Sequence, residues 1–506
     1  MKTASPTIEA TSIPDDVASL QDMVKAQNLL IQKLMIQLAA QRRHRFGIRS
    51  EGLDQLGLGL DETEERSSQA DALALHDPVE AEGASSTPKK KPKRKALPPE
   101  LPRDRQAFAP ASTDCPCCGK AMRKMAEDIR EILDYLPASF IVRQQVIEKF
   151  SCRDCGKIVE GEPPENPIAK GAAGSGLLAH ILVSKYADAL PLYRQSAIYA
   201  RQEIDLSRST MSGWVSKMAE LLAPLAERIE AHVLEGAAIH TDDTVVPVMA
   251  PGLKRTKKGR IWAHVRDERP LGSAIPPAAF YKYSPDRKGE HPQAHLKDYE
   301  GFLHVDGFAG YDKLFARGKA NEVSCMAHIR RKFVNIYDAT FSPIAEKALK
   351  WIAALYRIER DISGQSADVR KAVRQEKAKP IFEALFNWLG ATKPTLPTGQ
   401  PLAKAVSYAI TQMTKLEKYL DDGRLAIDNN ASERAVKNIV LGRKNFLFFG
   451  SDAGGANAAI IYTLIETAKL NMINSEAWLT QVIQTIGDCK QTQLDHLLPW
   501  NWKADQ

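Results

Sequence analysis

The chain has 506 residues, 44% of them hydrophobic and 26% charged, with a formal net charge of +7. These values describe an ordinary folded, mildly basic protein of roughly two to four domains and exclude a fibrous or wholly disordered chain. No run of about eighteen uncharged apolar residues is present, which excludes a membrane-spanning helix of the usual kind.

The first residues also lack the basic start and apolar stretch of a secretion signal, so the expected location is cytoplasmic. Seven cysteines, five of them between Cys115 and Cys155, point to a local metal site in a reducing compartment rather than to a disulfide framework.

Residues 17–50 are read as a coiled-coil and basic segment. Val24, Ile31 and Leu38 form one heptad row and Leu20, Gln27 and Leu34 the other; the stripe predicts either a helix paired with a partner or one packed on its own domain. Arg42, Arg43, Arg45 and Arg49 then surround Phe46 and Gly47, a cluster suited to gripping DNA phosphates. Residues 51–111 lack periodicity and read as a flexible linker ending near the basic run Lys89 to Lys95, either a nonspecific DNA contact or a solvated stretch.

A zinc-binding module is predicted over 112–165. Cys115 with Cys118 and Cys152 with Cys155 make two Cys-x-x-Cys knuckles, each followed by glycine, with Cys117 as the spare. Four thiolates suit one structural Zn²⁺ and leave no open position for water. Residues 170–232 read as helical, and "EIDLSRSTMSGWVSKM" has the form of the second half of a helix-turn-helix. There Arg208 and Ser209, with Thr210 and Ser212, open a helix either toward DNA or in an ordinary helical hairpin, which shares this pattern, while Trp214, Val215 and Met218 face the core.

From residue 236 the pattern turns to strands: "AAIHTDDTVVPVMA", "GRIWAHVRD", "AAFYKYSP" and "GFLHVDGFAGY". Three strands joined by short turns, then a fourth bearing an acid and followed by helices, is how a ribonuclease H-like sheet begins. His240 precedes Asp242 as His304 precedes Asp306, and strand alternation puts each histidine on its aspartate's face. The echo favours Asp242 over Asp243, whose side chain is then expected in solvent or on Thr244. The two histidines are expected to pack beneath the site, because hard metals prefer oxygen.

Glu433 in "DNNASERAVKN" has two readings: a metal carboxylate, or the third residue of a capping box closed by Asn430. The cations Arg434, Lys437, Arg443 and Lys444 that follow suit DNA phosphates, although Lys437 is also one helical turn from Glu433. The core is thus expected in two parts, 236–332 and 421–475, separated by a helical insertion over 333–420 and followed by a C-terminal segment, 476–506. The fold class is multidomain α/β: a ribonuclease H-like mixed sheet with flanking helices, interrupted by that insertion and preceded by the coiled-coil, zinc and helical DNA-binding modules.

In order along the chain, "RRHRFGIRSE", the double Cys-x-x-Cys, "HTDDT", "GRIWAHVRD", "HVDGFAGY", "CMAHIRRKF", "DNNASERAVKNIVLGRKNFLFFGS" and "EAWLTQV" resemble the large transposase of the insertion sequence 66 family, a DDE-type recombinase. The resemblance implies a catalytic triad of Asp242, Asp306 and Glu433 holding two Mg²⁺ or Mn²⁺ ions, cleavage at the element's ends and strand transfer into target DNA. It also implies a role near the site for His328, Arg330 and Arg331, read as phosphate contacts. A homo-oligomer in a synaptic complex, accessory proteins of the same element and association with the bacterial nucleoid are further implications. One departure stands at the first acid, where the family commonly has Asp-Glu-Thr and this chain has Asp242, Asp243 and Thr244. Two other readings fit the residues: a zinc-containing DNA-binding regulator without catalysis, and a hydrolytic nuclease of the same fold.

Overall fold

A computed structural model describes residues 173–250, 252 and 255–503, with shorter stretches at 140–142 and 166–168, residue 16, parts of 21–38, and two strands near residue 155. The arginines at 42–49, the basic run at 89–95 and the cysteines at 115–155 lie outside the described residues. The described residues between 21 and 38 are helical, and Val24, Ile31, Leu34 and Leu38 are exposed, so that stripe is not buried on the chain's own core. No described helix is long and apolar enough to cross a membrane.

The chain divides into two compact units, one of residues 77–163 and the other of 1–76 with 164–506. In the smaller, β1 (Lys149–Ser151) pairs antiparallel with β2 (Ile158–Glu160), Phe150 opposite Val159. The two strands bracket the Cys152 and Cys155 knuckle in sequence.

The larger unit begins with α1 (Ser175–Tyr186), α2 (Leu192–Ala200) and α3 (Arg208–Leu234). Ser207 caps α3 by accepting the Thr210 N–H at 3.1 Å, which satisfies a donor the helix itself cannot. Met211, Val215, Met218, Leu222, Leu225, Ile229 and Val233 are buried along it, a three-and-four spacing that makes one continuous apolar face. Trp214, expected in the core with Val215 and Met218, is only half-buried. These helices belong to the same compact unit as the sheet that follows.

That sheet comprises β3 (Ala238–Met249), β4 (Thr256–Arg266), β5 (Ala278–Ser284), β6 (Gly301–His304) and β7 (Ala320–Val323), in the order β5-β4-β3-β6-β7. The first three are antiparallel, while β3–β6 and β6–β7 are parallel. The mixed sheet was expected; β7, only four residues long, was not, because so short a run carries no readable alternation. Between the last strands lie the short α4 (Glu290–His295) and α5 (Asp312–Ala316).

Five helices then follow: α6 (Met326–Thr340), α7 (Pro343–Asp361), α8 (Ala367–Val373), α9 (Lys379–Thr392) and α10 (Pro401–Asp421). Their buried face runs from Met326 and Phe333 through Leu355 and Phe382 to Tyr419 and Leu420. The first of these helices starts at Met326, directly behind β7. The chain returns through α11 (Asn430–Phe446), α12 (Asp452–Leu470) and α13 (Ser475–Thr485). Edge strand β5 is covered by α12, whose Thr463 and Thr467 hydroxyls accept the N–H groups of Tyr281 and Ala279 at 2.9 and 3.1 Å. An exposed edge is thereby closed by side chains.

Two buried arginines of the insertion hold the loop that leads to α11. Arg374, fully buried, donates to Glu359 at 2.6 and 2.8 Å and to the carbonyls of Tyr419, Asp422 and Leu425 at 2.7, 3.1 and 2.9 Å. Arg370 adds the carbonyls of Gly423 and Pro270 at 2.9 and 3.0 Å. A buried guanidinium repays its lost hydration only when all its donors are used. Arg374→Met is therefore expected to destabilise the protein by about 3 to 5 kcal/mol, read by urea unfolding; a change of about 1 kcal/mol or less, typical of surface pairs, would contradict this role.

Candidate active site

The parallel pairing of β3 with β6 sets His240 beside His304 in register. Their rings stack with centroids 4.3 Å apart and planes 11° from parallel. Burial pushes His240 down to about 4, and burial with its neighbour takes His304 well below the usual imidazole range. Both rings are neutral packing groups under the site, as the echoed motif predicted.

Asn429, fully buried, locks this layer to the start of α11. Its Nδ2 donates to Thr241 O at 2.8 Å, so its Oδ1 accepts from His240 Nδ1–H at 3.1 Å. Its backbone N–H points at Cys325 Sγ, 3.2 Å away. On the other side of β3, the Thr241 hydroxyl meets His264 Nδ1 and the Tyr311 hydroxyl at 2.9 and 3.1 Å.

Asp242 follows on β3, and Asp306 sits two residues beyond the end of β6 rather than on a strand. The Asp242 carboxylate accepts the Asp243 N–H at 2.7 Å. Burial, then the charges of Asp306 and Asp243, with Glu433 a lesser contributor, raise its pKa well above the ordinary carboxyl value. Asp242 is thus the acid that senses both other members of the expected triad.

Asp243 behaves differently from its expectation. It is neither in solvent nor on Thr244: its side chain is 3% exposed and held at 2.8 Å by both Arg260 and Arg287. The Thr244 hydroxyl instead faces Arg443, which also donates to Val245 O. Arg443, expected on DNA, is half-buried and spends that guanidinium edge on β3.

Glu433 is the fourth residue of α11, whose cap is Asn429 with no side-chain capping bond. The capping box predicted around Asn430 is absent; Asp428 accepts the Asn430 N–H at 3.1 Å in its place. The Glu433 carboxylate, 2% exposed, turns instead to α6, with Oε2 at 3.3 Å from Arg331 Nη2 and Oε1 at 3.7 Å from His328 Nδ1. Neither Glu433 Oε1 nor His328 Nδ1 has a hydrogen-bond partner. Burial raises the Glu433 pKa against the opposing charge of Arg331, and burial takes His328 down to about 4.

Of the other expected DNA contacts, Arg330 is half-buried on α6, where its charge acts on Tyr356. Lys437 is half-buried, whereas Arg434 and Lys444 are exposed on α11. Arg208 and Ser209 are exposed at the start of α3, with Ser209 hydrogen-bonded to Ser207 at 2.8 Å.

The donor types suit a hard divalent cation: three carboxylates whose charges act on one another, one of them with an orphan buried oxygen, and, among the described residues, no lysine or arginine bonded to Asp242. Among the described residues, the groups with ligand atoms all within 4.8 Å of one another are Cys325, His328 and Glu433, and Asp286, Glu290 and His291. The triad is more open than either group. Asn429, Arg260, Arg287, Phe308 and Cys325 were not singled out from sequence, since each acts through partners distant in the chain.

Models of known families cover most of the chain. One described as "Transposase IS66 family" matches residues 170–457, "zinc-finger binding domain of transposase IS66" matches 112–156, "Transposase C of IS166 homeodomain" 33–105, and "IS66 C-terminal element" 463–500. Relatives include two uncharacterized proteins of Sinorhizobium fredii (strain NBRC 101917 / NGR234), y4hP and y4qI. The first is 39% identical over 95% of this chain and 89% of its own length, the second 34% over 97% and 92%. By the extent of the central match and the length shared with these relatives, the chain belongs to the IS66 family of transposases.

Proposed function

We propose that the protein is a DDE-type transposase that cuts DNA at the ends of its insertion sequence and joins those ends to target DNA, with Asp242, Asp306 and Glu433 as the catalytic carboxylates. The observation that carries this reading is the buried Asp242 on β3, whose pKa is raised by burial and by the charges of Asp306 at the end of β6 and, to a lesser extent, Glu433 on α11. The strand order β5-β4-β3-β6-β7, three antiparallel then two parallel, supports a ribonuclease H-like core, with the first acid on its central strand.

Asp242, Asp306 and Glu433 would hold two Mg²⁺ or Mn²⁺ ions, which when bound supply positive charge to the attacking and leaving oxygens of a phosphodiester. The chain's own residues do the rest. Asn429 and the stacked histidines fix the carboxylates relative to one another, and Arg331 orients Glu433. Arg330, Arg434, Lys437 and Lys444 near the core, Arg208 and Ser209 on α3, and the arginines at 42–49 provide phosphate contacts. Hydrolysis frees a 3′-hydroxyl at the element end, and that hydroxyl then attacks target DNA, so positioning and charge suffice without a covalent protein intermediate. Cys115, Cys118, Cys152 and Cys155 would hold one structural Zn²⁺. The exposed row Val24, Ile31 and Leu38 suits pairing with a second copy in a synaptic complex.

Asp242→Asn, Asp306→Asn and Glu433→Gln are each expected to abolish end cleavage while leaving binding to the end duplex intact. Full cleavage by any one of them removes that residue from the triad.

The raised pKa of Asp242 adds a stability test. A carboxyl held above its ordinary value of 3.8 contributes stability below that value and loses it as pH rises through the folded-state pKa. The ionised form is therefore a cost to the folded state. Asp242→Asn is expected to melt a few degrees higher than wild type in EDTA at pH 7, although inactive; an unchanged or lower melting temperature contradicts the electrostatic account. Metal analysis of the purified protein is expected to find about one zinc per chain, lost on Cys115→Ser or Cys152→Ser, and zinc-free wild type would refute the four-thiolate site.

A further inference from the structure

The loop between β5 and α4 sends one cation to the edge of the carboxylate cluster. Arg287 donates from Nε to Asp243 Oδ1 at 2.9 Å, and its Nη2 lies 2.8 Å from the same oxygen and 3.5 Å from Asp306 Oδ2. The guanidinium centre is 4.1 Å from the centroid of the Phe308 ring, a cation–π distance. Phe308 is itself tied to the site, because its backbone N–H donates to Asp306 Oδ1 at 3.0 Å. Gly307, at φ +84°, makes that turn, and a Cβ at Gly310 would overlap the Phe308 ring. A Cβ at Gly289 would in turn meet the Gly310 backbone at 2.7 Å. The "DGFAGY" turn and the "PDRKGEH" loop therefore pack closely at Gly289 and Gly310, and Arg287 is held on one edge by a carboxylate and on one face by a ring.

Asp243 also has Arg260 at 2.8 Å on its other oxygen, so two guanidinium groups share one carboxylate. Arg287 is the more solvent-facing of the two, its side chain being 37% exposed against 20% for Arg260. The approach to Asp306 is looser than a charge-assisted hydrogen bond of about 2.7 to 2.9 Å, and the described bonds use Nε and Nη2, leaving the Nη1 donors. A planar fork fixed by one acid, with donors remaining beside a metal-type carboxylate, has the chemistry of a phosphate grip.

We propose that Arg287 is a substrate-binding residue that grips the phosphodiester undergoing reaction, with Asp243 and Phe308 as the residues that position it. The proposal rests on the transposase reading above and assigns the contact made by the reacting phosphate itself. A phosphate oxygen would replace the loose contact to Asp306 while the bonds to Asp243 stay in place.

The test pairs the protein with two end duplexes, one native and one carrying a neutral methylphosphonate at the cleavage position, with binding measured in EDTA so that no strand is cut. Wild-type protein is expected to bind the neutral duplex about tenfold or more weakly, the value of a hydrogen bond to a charged group. Arg287→Gln is expected to bind both duplexes equally, at the weaker level. Arg287→Lys, which keeps a cation on Asp243 and so guards against a folding defect, is expected to discriminate between them to an intermediate degree. Equal discrimination by all three proteins overturns the phosphate contact while leaving the transposase reading intact. Wild-type protein that binds neither duplex overturns both.

Discussion

Asn429 donates to the carbonyl of Thr241, accepts from His240 and points its backbone N–H at Cys325, so one buried residue joins β3, the start of α6 and the start of α11. Its Nδ2, its Oδ1 and its backbone N–H each have a partner at this junction, as buried polar groups require. The consequence is positional. Glu433 lies one helical turn beyond Asn429, and Asp242 lies next to Thr241 on β3, so the distance between these two acids is set by bonds that touch neither. Arg374 and Arg370 extend the constraint backward by fixing the loop that delivers Asn429. The helical insertion thus has a structural task even before any contact with DNA is considered.

The charge distribution follows a consistent division. Asp243 and Glu433 are each held by arginines from neighbouring elements, whereas among the described residues Asp242 is bonded by a backbone N–H alone. Burial without a compensating cation is costly, and that cost falls on the residue expected to be central to metal binding. Arg287 stands at the boundary, tightly bonded to Asp243 and loosely to Asp306. On the proposed reading, a cluster arranged this way holds unfavourable electrostatics that a bound divalent cation would relieve.

Much of this was legible in the chain, and the reasons differ by element. The His-x-Asp echo of "HTDD" and "HVDG" is a local pattern on paired strands, and the register of His240 with His304 is its direct physical counterpart. The cap at Ser207 is likewise a local hydrogen bond that residue type alone suggests. Asp243 could not be read in this way, because its partners Arg260 and Arg287 come from β4 and the loop after β5. The same holds for Glu433, whose nearest sequence context favoured a cap at Asn430, while the tertiary bond of Asn429 moved the cap by one residue and turned the carboxylate toward α6. The strand at Ala320–Val323 was too short to announce itself.

The central claim is that Asp242, Asp306 and Glu433 together bind the catalytic divalent cations. Crystals soaked in Mn²⁺ and measured at its absorption edge test this directly through anomalous difference density. The account predicts Mn²⁺ peaks whose protein ligands are oxygens of Asp242, Asp306 and Glu433, lost in Asp306→Asn. Mn²⁺ found only at Cys325 and His328, or at Asp286 and Glu290, with the triad oxygens unliganded, would contradict it.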